Sequence, residues 1–293
     1  MTIAPEGVTT IPASRRFIIL ATCSAATMLY AMAITIANVV LPQMRGALSA
    51  TPDQIAWVIT FNLVATAVMT PVSGWLSNRF GRRNVLLVAC FGFTVASVLC
   101  GLADSLEALV LFRVLQGAFG APLVPVSQTI ILDTFPREQH SMATALWGVG
   151  VVLGPIIGPT FGGAIAEEYS WRWVFFMIVP FGILTLGAIS MFITKRPVRP
   201  PSPPLDWLGF FALAAALASF QFMFDRGQRN SWFDSPETIV ECSIGFLALY
   251  IFIVHISSSP RPFINPRLFL NRNYCLGLAL AFMFGMLNFV PLV

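Results

Sequence analysis

The property that most restricts this chain is the length of its uncharged stretches. Residues 54–77 contain no Asp, Glu, Lys or Arg, and residues 84–103 contain none either. A bilayer core of about 30 Å is crossed by roughly 20 apolar residues in a helix. Nine runs of that kind can be marked, at 17–41, 54–76, 85–103, 106–132, 141–166, 173–194, 206–224, 238–256 and 274–293. Charged residues make up 10% of the chain and hydrophobic ones 57%, where a soluble domain carries about a quarter charged. A globule of 293 residues cannot hide so much apolar surface. In lipid the backbone must satisfy its own polar groups, which leaves helices or closed barrels. The alternating strands of about ten residues that a barrel needs are not seen. The chain therefore reads as an all-α, multi-pass membrane protein.

A break separates the sixth and seventh runs. Residues 195–205, "KRPVRPPSPPL", are rich in proline and basic residues. Such a segment is extended rather than helical. The reading is a six-helix bundle over 1–194, a linker over 195–205, two helices over 206–257, and the start of a further bundle over 258–293. The run at 17–41 is too long for a cleaved signal core and is expected to remain as a span. Basic residues set orientation. With the N-terminus inside, twelve Lys or Arg residues fall on the inner side and four on the outer. That places the N-terminus in the cytoplasm, and residues 77–84 with it. Tryptophans such as Trp171 and Trp173 suit a membrane interface.

The uncharged runs at 54–77 and 84–103 flank a short basic turn, "GWLSNRFGRRNVLL" at 74–87. Gly81 suits a backbone with positive φ. Gly74 is expected to let a neighbouring helix come close. Arg79, Arg82 and Arg83 can hold carbonyls or carboxylates at helix ends, and Arg82 is expected to pair with Asp133 at the end of the fourth run. That run also contains an arginine. Counted from its outer end at 1.5 Å per residue, Arg113 lies roughly 10 Å deep. The same count puts Asn62 about 12 Å deep and Asn38 about 5 Å deep, with Tyr30 and Gln116 near the midplane. These five polar groups are candidates for one cavity. A buried arginine in a membrane normally marks function. With no embedded acid to pair with, it needs Gln116, Asn38, Asn62, water or a distant carboxylate. The fifth run carries "GVGVVLGPIIGPTFGG". Gly150, Gly154, Gly158 and Gly162 recur at every fourth residue and make a smooth ridge for another helix, within the bundle or from a second copy. Pro155 and Pro159 repeat the spacing and bend the helix.

These motifs carry a resemblance. Gly74-x-Leu76-x-Asn78-Arg79-x-Gly81-Arg82-Arg83 resembles the cytoplasmic loop motif of the major facilitator superfamily. Arg113 followed by Gln116-Gly117 resembles its fourth-helix motif, and the ridge with Pro155 and Pro159 resembles the antiporter motif of its drug exporters. "ITIANVVLP" at 34–42, "WRWVFFMIVPFG" at 171–182 and "LDWLG" at 205–209 resemble its fourteen-helix drug:proton antiporter branch. The resemblance implies the major facilitator fold, here the first six-helix bundle, two inserted helices and the start of the second bundle, ending after the ninth helix. It also implies secondary active export of hydrophobic or amphipathic small molecules by proton antiport and alternating access. The implied partners are membrane lipid, a small hydrophobic substrate, protons and a periplasmic adaptor protein. The implied location is the bacterial inner membrane.

Three positions depart from the family pattern. Asn78 and Ala33 stand where Asp is usual, and Ile178 where Asn is frequent. No Asp or Glu lies deep in any run, so a proton carrier would sit at a span end, as Asp206, Asp225, Glu107 and Glu241 do, or elsewhere. A solute-importing facilitator and a non-transporting membrane protein remain as alternatives. The cysteines, Cys23, Cys90, Cys100, Cys242 and Cys275, form no paired motif, and His140 and His255 are far apart. Neither a cofactor, a metal, an enzyme activity nor nucleic-acid binding is expected.

Overall fold

A computed structural model describes residues 12–194, 204–260, 262 and 264–289. Uncharged, apolar sequence becomes long helices, because only an internally bonded backbone is stable in lipid. They are α1 (Ala13–Ala47), α2 (Pro52–Phe80), α3 (Arg82–Gly101), α4 (Leu106–Gly120), α5 (Leu123–Thr134), α6 (His140–Glu168), α7 (Trp171–Phe192), α8 (Trp207–Gly227), α9 (Pro236–Ser258) and α10 (Arg272–Phe289). Eight spans long and apolar enough to cross a membrane are found among the described residues, with α4 and α5 together forming one. The ninth expected run corresponds to α10, which is not among the eight. Its last four expected residues, 290–293, lie outside the described residues, as do 195–203 of the proline-rich segment.

The fourth apolar run is broken where the sequence suggested a continuous helix. The break falls at Ala121–Pro122, and Pro122 opens α5. Pro125 then sits in the first turn of α5. An amide there has no intrahelical partner to lose, so a proline is tolerated. Helix starts are fastened by local side chains. Thr51 and Gln54 form a reciprocal capping box at α2, with 3.3 and 3.0 Å bonds. Ser105 caps α4 and Ser170 caps α7.

The chain divides into two units, 1–202 and 203–293. In the first, α1 packs on α5, α6 and α7, α2 on α4, and α3 on α4 and α7. The core between them is made of residues such as Leu29, Ile36, Phe93, Leu109, Phe175 and Ile178. The opposite faces of the same helices are also apolar. Val88, Phe91, Leu111, Ile156 and Leu184 are all exposed. A protein surface of that kind belongs in hydrocarbon. The chain is a multi-pass membrane protein.

In the second unit α8 and α9 form an antiparallel hairpin, tied at both ends. Asp206 caps α8 by accepting from the Gly209 amide, and its Oδ1 lies 2.8 Å from His255 Nε2 at the end of α9. At the other end Arg226 meets Glu237 at 2.5 Å. Between these ties Phe220 packs into the space left by Gly245.

Candidate functional site

The polar cluster grows from a match of spacing between α2 and α4. Arg113 Nε donates to the Val58 carbonyl at 3.1 Å. Asn62 Nδ2 donates back to the Arg113 carbonyl at 2.8 Å. One turn on, Thr66 Oγ1 donates to the Gly117 carbonyl at 3.2 Å. Positions 58, 62 and 66 thus step along α2 as 113 and 117 step along α4, so the two helices run parallel and are stitched at each turn. The stitching needs close backbones. A Cβ on Gly117 would lie 2.4 Å from the Asn62 carbonyl oxygen, a backbone atom that cannot swing aside. Gly117 is thereby a requirement of the geometry.

Arg113 continues the cluster inward. Its Nη1 donates to Gln116 Oε1 at 2.5 Å, and its guanidinium lies 5.9 Å from the Phe175 ring centroid on α7. Gln116 Nε2 donates to Ser97 Oγ at 2.8 Å, and Ser97 donates to the Phe93 carbonyl at 2.8 Å. Arg113 is 1% exposed, Gln116 0% and Asn62 3%. No ion pair among the described residues includes Arg113. The cost of burying its charge is offset by a carbonyl, a side-chain amide and an aromatic face. Of the five residues read as lining one cavity, the structure hydrogen-bonds Arg113, Gln116 and Asn62 together. They are packed between helices rather than lining an open space. Tyr30 borders the cluster, its ring 6.4 Å from Phe93 and against Gly120 and its hydroxyl beside Thr66. Asn38 does not join it, and its Oδ1 has no hydrogen-bond partner. Ser97 and Thr66 were not singled out in the sequence. Thr66 had a visible signal, since it follows Asn62 at the spacing that separates Gly117 from Arg113.

The basic turn between α2 and α3 uses each arginine differently. Gly81 adopts φ 83°, as the turn requires. Arg82 pairs with Asp133 at the end of α5. Arg83 Nη2 donates to the Ser190 carbonyl near the end of α7 at 2.7 Å. Arg79 folds back over Trp75, with 5.5 Å to the ring centroid. Asn78 is exposed. Gly74 departs from expectation, because nothing lies within 4 Å of a Cβ built there. Among the described residues no helix exploits its small size. The Arg82 and Asp133 side chains are 26% and 34% exposed, so water screens their attraction. A double-mutant cycle of Arg82→Ala and Asp133→Ala on the full-length protein, read by thermal melting in detergent, should give a coupling of at most about 1 kcal/mol. Strict additivity would remove the pair as a stabilising contact.

The glycine ridge of α6 faces α1. A Cβ on Gly150 would meet Ser24, one on Gly154 would meet Ala31 and the Met28 carbonyl, one on Gly158 would meet Thr35, and one on Gly162 would meet Ile36. Contact partners on α1 advance with each step along α6, so the two backbones stay in touch along the whole ridge. Trp147 Nε1 adds a 3.0 Å hydrogen bond to Thr27 Oγ1. Pro155 and Pro159 are half-buried beside the ridge. Among the described residues no group of His, Cys, Asp or Glu is placed to hold a metal ion.

Comparison with known proteins agrees with this architecture. The chain is 38% identical over 275 residues to the multidrug export protein EmrB of Haemophilus influenzae, covering 92% of this chain and 54% of that protein. It is 37% identical over 264 residues to the fatty acid resistance protein FarB of Neisseria gonorrhoeae, covering 88% of this chain and 52% of that one. The chain thus spans about half the length of the curated relatives it matches. Among solved structures, a bacterial homologue of the human lysosomal transporter Spinster aligns with TM-score 0.58 and 21% identity, over 83% of this chain and 61% of that one. A D-xylose–proton symporter aligns with TM-score 0.53 and 14% identity, over 82% of this chain and 69% of that one. At that identity these two speak for the fold alone. With the sequence profile of the Major Facilitator Superfamily matching residues 23–293, over the same helices that carry the stitched arginine and the glycine ridge, this chain belongs to that superfamily.

Proposed function

We propose that this chain contributes a six-span bundle and the following helices to a secondary active exporter of hydrophobic and amphipathic small molecules. Transport proceeds by alternating access, in which packed bundles rock about a site near the membrane midplane. The observation that carries this reading is the α6 ridge. Four glycines at every fourth residue, interleaved with Pro155 and Pro159, hold two helices in close backbone contact. Relatives named for multidrug export and for fatty acid resistance support it, and they widen the substrate class to amphiphiles with a carboxylate head. The remaining partners we assign are membrane lipid, protons exchanged against substrate, and a periplasmic adaptor protein. The bias of basic residues supports an inner-membrane orientation with the N-terminus and the Arg79–Arg83 turn in the cytoplasm.

The test loads cells expressing the full-length protein with a fluorescent lipophilic cation and, separately, with a labelled fatty acid. Export above the level of cells lacking the protein, abolished by a protonophore, is the expected result. Export that persists with the protonophore would end the proton-antiport part, and no export of either probe would end the exporter reading. Orientation has its own measurement. A single cysteine at Asn84, in a background without the native cysteines, should react with a membrane-permeant maleimide and resist an impermeant one added to intact cells. Labelling by the impermeant reagent reverses the topology.

A further inference from the structure

Ser97 belongs to none of the motifs above, yet its hydrogen bonds decide how the arginine is held. It is fully buried on α3. A hydroxyl has one proton to give. The Phe93 carbonyl can only accept, and it takes that proton at 2.8 Å. Toward Gln116, then, Ser97 Oγ can only accept. At the other end of the Gln116 amide stands the Arg113 guanidinium, which can only donate. One orientation satisfies both neighbours: Nε2 toward Ser97 at 2.8 Å and Oε1 toward Arg113 at 2.5 Å. The reverse would set amide hydrogens against guanidinium hydrogens and oxygen against oxygen, among side chains that are buried from solvent.

We propose that Ser97 is a positioning residue for export: it locks the Gln116 amide so that Gln116 Oε1 holds the Arg113 side chain in place between α2, α4 and α7. The proposal rests on the transport reading above and deepens it. Losing the Ser97 hydroxyl leaves a buried Nε2–H₂ without an acceptor, frees the amide to turn, and withdraws the acceptor from Nη1. Arg113 then keeps only the Val58 carbonyl and the Phe175 ring, and its side chain no longer holds one position between the helices that move during transport. Ser97 acts through Gln116 and Arg113 and does not touch substrate, so its removal slows turnover without weakening substrate capture.

The test measures export of a lipophilic fluorescent cation by the full-length protein, normalised to protein in the membrane. Ser97→Ala should lower the maximal rate about tenfold, while the half-saturating concentration changes less than about twofold. Ser97→Thr keeps the hydroxyl and should recover the rate. If its extra methyl lowers membrane abundance, Ser97→Cys, nearly isosteric with a weak donor and acceptor, should fall between serine and alanine. Thr94→Ala is the control. Its hydroxyl also bonds a carbonyl on α3, that of Cys90 at 2.7 Å, without reaching Gln116, and its loss should leave the rate within about twofold. Ser97→Ala added to Gln116→Ala should cost nothing further, because the two act as one unit. Wild-type export in Ser97→Ala, an equal loss in Thr94→Ala, or losses that multiply in the double variant would overturn the proposal. Should the wild-type protein export none of the probes, the transport reading fails and the relay is read from melting in detergent. There, non-additive losses from Ser97→Ala and Gln116→Ala uphold the relay, and additive losses end it.

Discussion

Arg113→Ala is expected to insert and accumulate like the wild-type protein while export falls by at least about a hundredfold. The two halves of that statement have different causes. Placing an arginine at this depth costs at least about 2.5 kcal/mol on insertion scales, so its removal does not hinder membrane integration. The Val58 carbonyl, which accepts from Arg113 Nε, keeps its place in the α2 helix when the guanidinium is gone. What disappears is the connection of α2 to α4 through a side chain that also meets Gln116 and the Phe175 ring. Arg113→Lys retains the charge and loses the planar fork, so Val58 and Gln116 must share one ammonium in place of two fixed donors. It should export about tenfold below wild type. Export assays normalised to membrane abundance check both. Wild-type rates in both variants would leave Arg113 as a packing residue with no part in transport.

Gly154→Ala is expected to lower the stability of the purified protein by about 1–3 kcal/mol, and Gly154→Leu to leave no folded transporter. A Cβ there would lie 2.7 Å from Ala31 Cβ, 2.9 Å from the Met28 carbonyl oxygen and 3.0 Å from the Met32 amide nitrogen. Two of those atoms are backbone, so relief requires α1 and α6 to separate. Separation would strain the neighbouring contact at Gly158 and the Trp147–Thr27 hydrogen bond. Gly148, on the same helix, has nothing within 4 Å of its Cβ. Gly148→Ala should therefore be neutral or raise the melting temperature, since alanine favours a helix by about 1 kcal/mol over glycine. Equal melting temperatures for the Gly154 and Gly148 variants would show that the ridge does not hold α1.

The spans could be located from sequence because the physics behind them is one-dimensional. A bilayer imposes a length and an apolar requirement on each segment separately, and every helix from α1 to α9 lies where an apolar run predicted a span. The kink at Ala121–Pro122 shows the limit of that reading, since hydropathy does not fall there and only the prolines signal a break. The turn at Gly81 was equally legible, because positive φ is a local property of one residue. The fit of Gly150, Gly154, Gly158 and Gly162 to a partner helix was visible as spacing, but spacing is the same whether the partner lies inside the bundle or in a second copy. Only the fold chose α1.

The arginine cluster divides along the same line. The sequence by itself determined that Arg113 lies within a membrane span and needs compensation, from uncharged groups or a distant carboxylate, because no acid stands at its depth in the marked runs. It did not determine which groups supply that compensation. Asn38 and Asn62 have the same chemistry and both count into the outer half of the membrane, at about 5 and about 12 Å, yet Asn62 bonds the Arg113 carbonyl and Asn38 Oδ1 bonds nothing. Depth is a single coordinate along the membrane normal, and hydrogen bonds also require the right rotation about each helix axis. That rotation is decided by packing among helices distant in sequence: Gly117 bringing α4 onto α2, and Ser97 on α3 turning Gln116 toward the guanidinium. Apolar periodicity is nearly silent about it, because in lipid the outward and inward faces of these helices are both hydrophobic.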